Sequence, residues 1–522
     1  MRRMYLWTTS LGRRQVLGWG LLAASLPLVE VRSFSGPFLL LTSLAFLFLA
    51  SRRAFLLGVA FAVPFSTIAW DLTITHIGTR TLDARLLVTF GVAALVALAL
   101  AVERSLPSRL ELVGFTFVAW MLTVGALQSD SVLTWAPPLA RWFSYVGVLM
   151  LARRWTRDST QAMGLAIAVG LGFAFPATLG LIQFLVGESG FLNGAVRATA
   201  PGGRGPIGLA FGGQMLLILA FALIEARASA RLGWLAGVAL GAMAIIASAT
   251  RIITVTAWLA LASLAAAKRR WRTLAVVSVI FVVALGARPD LLSRYWGTIT
   301  PTSAPSVEPG QSPLPSGTPS GEQLVFDPSL RFRLFVWETV LDEWAEQPVL
   351  GIGPGMTAPT VAAVSPARRT APHNDYIGVL AELGLPGILL FVALQGGVLI
   401  SLLRRWHATD GPLQAILSAV AALFLAVNVL GALNNPMYFF DVQLTLWALI
   451  GACLGAATPP SVATHVPIRD LSESPNGRRR VVRAGRRQVG NSCRVSLDGG
   501  KKILRLFDQH DLQGACQTTR VP

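Results

Sequence analysis

At 522 residues, 53% of them hydrophobic and only 13% charged, with a mean hydropathy of +0.60, the chain is too apolar for a water-soluble globular protein. Its formal net charge of +18 would suit nucleic acid, but the cytoplasmic loops of a many-span protein collect Lys and Arg, and that accounts for the charge with no nucleic-acid partner. Three cysteines, Cys453, Cys493 and Cys516, form no CxxC and no Cys/His cluster, which argues against both a disulfide framework and a structural zinc site.

Arg2, Arg3, Arg13 and Arg14 precede an apolar run in the manner of a signal peptide, and Arg13-Arg14 echoes a twin-arginine signal. Further apolar blocks follow at once, so the run reads as an uncleaved first span. About fourteen blocks have bilayer-crossing character, at roughly 15–31, 36–50, 53–70, 84–102, 110–127, 133–151, 161–186, 206–226, 231–249, 251–267, 272–287, 385–403, 412–431 and 438–457. The pattern predicts an all-α fold, a polytopic membrane helix bundle of about 12–14 spans with one large extracytoplasmic loop that holds a short amphipathic helix. In chain order this is an N-terminal transmembrane bundle (1–287), the loop (288–384), the C-terminal spans (385–457) and a tail (458–522).

Loop charges orient the bundle. With a cytoplasmic N-terminus, the loops expected inside carry Arg52-Arg53, Arg104 with Arg109, Arg153-Arg154 with Arg157, Arg227 with Arg231, Lys268-Arg269-Arg270 with Arg272, and Arg404-Arg405. Outward loops carry far fewer, as with Asp130 between the fifth and sixth spans. This is the positive-inside pattern, and it puts both termini in the cytoplasm and the loop from Arg288 outside.

Within that loop, Pro301–Gln323 (PTSAPSVEPGQSPLPSGTPSGEQ) is Pro/Ser/Gly-rich, cannot bury a core and reads as a mobile linker. Past it, Phe332, Phe335, Val336, Thr339, Val340 and Trp344 recur at steps of three and four, the mark of an amphipathic helix. Asp327-Pro328 supplies an N-cap and first-turn proline, and Gln347-Pro348 stops the helix. Gly351, Gly353, Pro354 and Gly355 then make a turn, and His373-Asn374-Asp375-Tyr376 stands at the mouth of the next apolar helix. The tail, with Arg478-Arg479-Arg480, Arg483, Arg486 and Arg487, reads as a disordered cytoplasmic segment leaning on anionic membrane lipid.

The topology gathers Arg197 and Arg204, Arg251, Arg331 and Arg333, Arg368-Arg369 and His373 on the outer face. Arginines placed against the charge bias need another cause, and multivalent anions such as phosphate, gripped bidentately by guanidinium, supply one. Singly, each has a plainer role: an interfacial histidine, Asn374 or Asp375 capping a helix, Arg251 snorkelling from a helix end, solvated loop charge at Arg197, Arg204, Arg368 and Arg369. Together, with no acidic cluster spaced for a metal, they read as a cation-plus-base site that uses neither metal nor cofactor.

The order of these parts carries a resemblance. Arg333 and Trp337 as R-x-x-x-W, then P-V-L-G-I-G-P-G, then H-N-D-Y-I-G-V-L-A-E-L-G-L-P-G resembles the signature of the O-antigen ligase and O-antigen polymerase family of bacterial membrane glycosyltransferases. Arg197 followed by Gly208 also fits an Arg-then-Gly spacing of that family, whereas the Pro/Ser insertion and the basic tail depart from it. The resemblance implies transfer of a glycan from an undecaprenyl-diphosphate carrier to a hydroxyl of a glycan, lipid or protein acceptor, at the outer face of the bacterial inner membrane. It implies His373 as general base, Arg333, Arg331, Arg251 and Arg204 or Arg197 as diphosphate ligands, Asn374, Asp375 and Tyr376 in support, no metal, and inversion at the anomeric carbon. Imidazole suits deprotonation of a hydroxyl near neutral pH, and arginines suit a diphosphate leaving group. A transporter or flippase of lipid-linked glycan is the alternative, and would need intramembrane charge pairs or broken helices in matching halves. A peptidoglycan-type polymerase relying on Asp375 in place of His373 is a third.

Overall fold

The structure, a computed structural model, describes residues 12–30, 35–66, 73–77, 80–103, 106–129, 131–187, 190–192, 195–197, 205–226, 230–267, scattered positions between 275 and 286, 328–364 and 372–457. The linker 301–323, the tail 458–522, Arg204, Arg368 and Arg369 lie outside the described residues.

The fold is an all-α polytopic membrane bundle. In order come α1 (Arg13–Glu30), α2 (Ser35–Ala50), α3 (Arg52–Ser66), α4 (Ala84–Val102), α5 (Arg109–Gln128), α6 (Val132–Trp155), α7 (Ser159–Leu185), α8 (Gly205–Glu225), α9 (Arg231–Ser248) and α10 (Arg251–Ala267). After the loop follow α11 (Pro328–Glu346), α12 (Thr357–Val364), α13 (Asp375–His407), α14 (Gly411–Gly431), a 3₁₀ turn (Pro436–Tyr438) and α15 (Phe440–Ala456). Two small antiparallel hairpins, β1–β2 (Thr73–Ile77 with Arg80–Asp83) and β3–β4 (Gly190–Leu192 with Ala195–Arg197), fill loops where the apolar pattern carried no strand signal. Among the described residues seven helices are long and apolar enough to cross a membrane: α4, α5, α7, α8, α9, α13 and α14. The other predicted blocks are also helical, except 272–287, which is described only in fragments.

α15 is the hub. It is apolar on every side, and all its residues from Phe440 to Gly455 are buried, as expected of a helix with no solvent face. Its principal partner is α6, and the two backbones touch: a Cβ at Gly451 would sit 2.3 Å from the Leu149 carbonyl, and one at Gly455 2.1 Å from that of Arg153. Small residues four apart give two helices this closeness in lipid, where dispersion replaces the hydrophobic drive. Around the pair, Trp142 packs edge-on against Phe117, Phe391 and Trp447.

Charges separate along the bundle. At the C-terminal end of α13, Arg405 donates to the Ala457 carbonyl (2.9 Å). Nearby, Arg153 and Arg154 pair with buried Glu111 (3.4 and 3.5 Å), which also closes a capping box with Ser108, and Arg52 pairs with Glu103 (3.2 Å). Loops that the charge pattern puts on one side thus bond to one another. His373 precedes the other end of α13, a helix of 33 residues and about 50 Å of path.

Candidate functional site

The site is assembled by α11. Its helix starts at Pro328 and ends at Glu346, before Pro348. The apolar face (Val336 and Val340, fully buried, with Phe332, Phe335 and Trp344) packs on Val361 of α12 and on Ile377 and Ala381 of α13. Arg333 and Trp337, four apart, share another face. Arg333 donates to the Leu433 carbonyl (2.6 Å), and the Trp337 indole donates to the carbonyl of Pro372, directly before His373. The R-x-x-x-W spacing is therefore one helical turn reaching to both sides of the histidine.

The glycine-rich turn docks on a break in α13. Gly384 (φ 65°, ψ −170°) interrupts that helix, in backbone territory open only to glycine, and a Cβ there would meet the Val349 carbonyl at 2.0 Å. The break frees backbone groups of α13, and the turn takes them up. Ile352 N–H donates to Ala381 (2.8 Å), Gly353 N–H to Glu382 (3.1 Å), and Leu385 N–H to the Pro348 carbonyl (3.0 Å), while Trp120 covers the Leu383 carbonyl (2.8 Å). Pro386 lacks an N–H to lose. The Glu382 carboxylate, buried, accepts from the Thr357 hydroxyl (2.6 Å) at the start of α12, so it holds this loop together. The sequence reading carried neither α12 nor this role for Glu382. The helix begins at Asp375 and is broken at Gly384.

His373 turns the chain with φ +51°, a left-handed conformation uncommon outside glycine. Beyond it each residue is tied to the segment 428–437. Asn374, the N-cap, accepts from the N–H groups of Tyr376 and Ile377 (3.0 Å each) and donates to the Ala432 carbonyl (2.9 Å). Asp375 accepts from Met437 N–H (3.1 Å), and the Tyr376 hydroxyl donates to the Asn428 carbonyl (3.2 Å). His373 lies within electrostatic reach of Arg333 and beside the Asn434 side chain. Burial, and then the Arg333 charge, hold its imidazole below the usual histidine value, a shift that the Asn434 side chain opposes.

Arg333 and His373 are brought together. Arg251 is half-buried at the first position of α10, after a left-handed cap at Ala249. Arg331 lies in α11 and Arg197 in β4, with side chains outside the description. Among the described residues no cluster of three His, Cys, Asp or Glu side chains could hold a metal.

Sequence reading missed a buried layer behind the histidine. Arg141 of α6 lies over the Tyr438 ring (4.7 Å) and lines a cleft with Asp375, Glu382 and Met437. Arg85 donates to the Tyr438 carbonyl and lies within electrostatic reach of Arg141 and Asp441. An arginine inside the apolar block 133–151 was a usable signal. Arg85, Asp375 and Asp441 fall within two residues of helix starts, whereas Arg141 is the tenth residue of α6.

No curated protein matches the chain. Residues 236–392, which contain Arg251, Arg331, Arg333 and His373, match the family model described as O-Antigen ligase, so this segment is similar to the O-antigen ligase family, a similarity that supports glycan transfer in general.

Proposed function

We propose that the protein transfers a glycan from an undecaprenyl-diphosphate carrier to an acceptor hydroxyl at the outer face of the cytoplasmic membrane. The observation that supports this reading is the docking of α11 beside His373, with Arg333 bonded to the Leu433 carbonyl and Trp337 to the carbonyl of Pro372, which directly precedes the histidine. His373 takes the proton of the acceptor hydroxyl, whose oxygen attacks the anomeric carbon from the side opposite the diphosphate. The bond from that carbon to the phosphate oxygen breaks, and the lipid diphosphate leaves with the electron pair. One displacement of this kind inverts the anomeric centre.

Arginines meet the charge that builds on the leaving diphosphate. Arg333 lies within electrostatic reach of the base; the positive-inside alternation of the spans supports Arg251, Arg197 and Arg204 on the same side, with Arg331 two positions before Arg333 in α11. With several guanidiniums in that role, the reaction runs without a divalent cation. Transfer that survives chelator supports this, and loss of transfer on chelation counts against it. The positive-inside pattern supports an extracytoplasmic site and cytoplasmic termini.

The test is His373→Ala in cells, with membrane levels checked by immunoblot. The reading expects loss of transfer at unchanged protein level, and full transfer sinks the base assignment. Surface polysaccharide from a deletion strain separates the two activities of the family. A missing polymer ladder identifies a polymerase, and a full but unattached ladder a ligase.

A further inference from the structure

Arg141, the tenth residue of α6, is a charge without a protein acceptor: among the described residues it makes no hydrogen bond and no ion pair. Its guanidinium lies 4.7 Å from the centre of the Tyr438 ring, a contact that holds the group in place and spends none of its five N–H donors. Arg85, by contrast, is engaged, donating to the Tyr438 carbonyl from α4. Arg141 lines a cleft of about 40 Å³, room for about two or three water molecules. From α13 the cleft is lined by Asp375, Gly378, Val379 and Glu382, whose steps of three and four make them one face of that helix, and Met437 and Tyr438 line it from the 3₁₀ turn. The two carboxylates are 4% and 8% exposed. Each is committed on one oxygen: Asp375 Oδ2 accepts from Met437 N–H (3.1 Å), and Glu382 Oε1 from the Thr357 hydroxyl (2.6 Å). Carboxylates this deep need a counter-charge, and Arg141 is the cation among the residues that line their cleft.

We propose that Arg141 is a positioning residue for His373: across bridging water its guanidinium balances Asp375 and Glu382, and so holds the first turns of α13, with the histidine that precedes them, against α6 and the 436–438 turn. The lever is short, because Asp375 is two residues after His373 and is bonded to Met437. An ionised carboxylate is the stronger acceptor for that N–H. Without the cation, the buried charge is uncompensated, and the carboxylate either takes a proton or turns toward solvent. Both outcomes loosen the Met437 bond, and the base moves with the chain that carries it. A cleft of this size admits water and no sugar ring, so Arg141 acts through Asp375 and touches no substrate.

The test is a double-mutant cycle of Arg141→Met and Asp375→Asn in the full-length protein. Methionine keeps much of the length and removes the charge, while asparagine keeps an oxygen for Met437 N–H and removes the opposite charge. The four proteins are compared for kcat and donor KM in transfer and for melting temperature in detergent. Arg141→Met is expected to lower kcat about tenfold with KM changed less than about twofold, and to cost less than about threefold in the Asp375→Asn background. Additive losses of kcat overturn the proposal. So does a loss of protein with kcat per folded molecule unchanged, which a purely structural arginine would give. Should the methionine variant not accumulate, Arg141→Lys runs the same cycle with the charge kept and the fork lost. It is expected to cost about threefold beside Asp375 and nothing measurable in the Asp375→Asn background, and equal losses in the two backgrounds overturn the proposal. The kcat arm rests on the glycan-transfer reading, whereas the melting arm needs no substrate. If His373→Ala transfers fully, the base assignment falls while coupled melting shifts still uphold the bridge. Additive melting shifts overturn the bridge whatever the transfer assay gives.

Discussion

The indole of Trp337 donates its N–H to the carbonyl of Pro372, so a loop helix grips the backbone one residue ahead of His373. Trp337→Phe keeps most of the ring and deletes that single bond. A net hydrogen bond is worth about 1 kcal/mol, or roughly fivefold in rate if it acts only on the placing of the histidine. The variant is expected to keep its membrane level and lose about that much kcat. A loss of protein that matches the loss of transfer would make Trp337 a folding residue instead.

Arg333 donates one N–H to the Leu433 carbonyl (2.6 Å), and its planar fork carries further donors. Lysine retains the charge but cannot both hold that carbonyl and grip a phosphate bidentately. Arg333→Lys should therefore retain a fraction of the activity, and Arg333→Ala should fall by about 10²- to 10³-fold, the scale of a deleted transition-state donor. Steady-state kinetics against donor concentration check this. Equal, mild effects from both substitutions would assign Arg333 to structure alone.

The bundle was legible because apolar blocks of bilayer length follow directly from the cost of unpaired backbone in lipid, and α8, α9 and α14 match their predicted blocks within a residue or two. The R-x-x-x-W spacing was legible only through the family resemblance, and its physical basis is that one helical turn puts both side chains on one face. What escaped were partners brought in from distant sequence. Asn434 lies 61 positions after His373 in a short polar interval between two spans, where no periodicity marks it. Glu382 was visible as a carboxylate, but its partner Thr357 belongs to a helix of eight residues, too short to show a period. Arg141 alone carried a signal, a charge within an apolar block, which the reading passed over.

Gly384 tests whether the turn and the break in α13 are one unit. An alanine Cβ would sit 2.0 Å from the Val349 carbonyl at a φ of 65°, so either the turn or the helix must move. Gly384→Ala should cost more than about 3 kcal/mol, from the clash and the forbidden conformation together. Gly396, in the same helix, is the control, because an added methyl there would have nothing within 4 Å. At that position alanine should be neutral or stabilising by up to about 1 kcal/mol, since it lowers the entropy lost on forming helix. Thermal unfolding in detergent distinguishes the pair, and similar melting of both variants would mean that the turn is not braced on the break.

The pH profile should carry the mark of the arginine beside the base. Burial and the Arg333 charge lower the His373 value from its usual 6.5, so the imidazole stays neutral and able to accept a proton at pH values where a free histidine is already charged. The acidic limb of kcat/KM is therefore expected below pH 6.5. In Arg333→Gln one of the two lowering causes is gone, and the limb should move up toward that value even as the rate falls. Stability follows with a definite sign. A depressed folded-state value means that the unfolded chain binds more protons between that value and 6.5, so this contribution is complete above 6.5 and is lost as the pH drops through the window. His373→Gln, which cannot titrate, should flatten that slope in a melting series while abolishing transfer. If the acidic limb stays in place in Arg333→Gln, the two side chains do not sense one another and the facing arrangement is wrong.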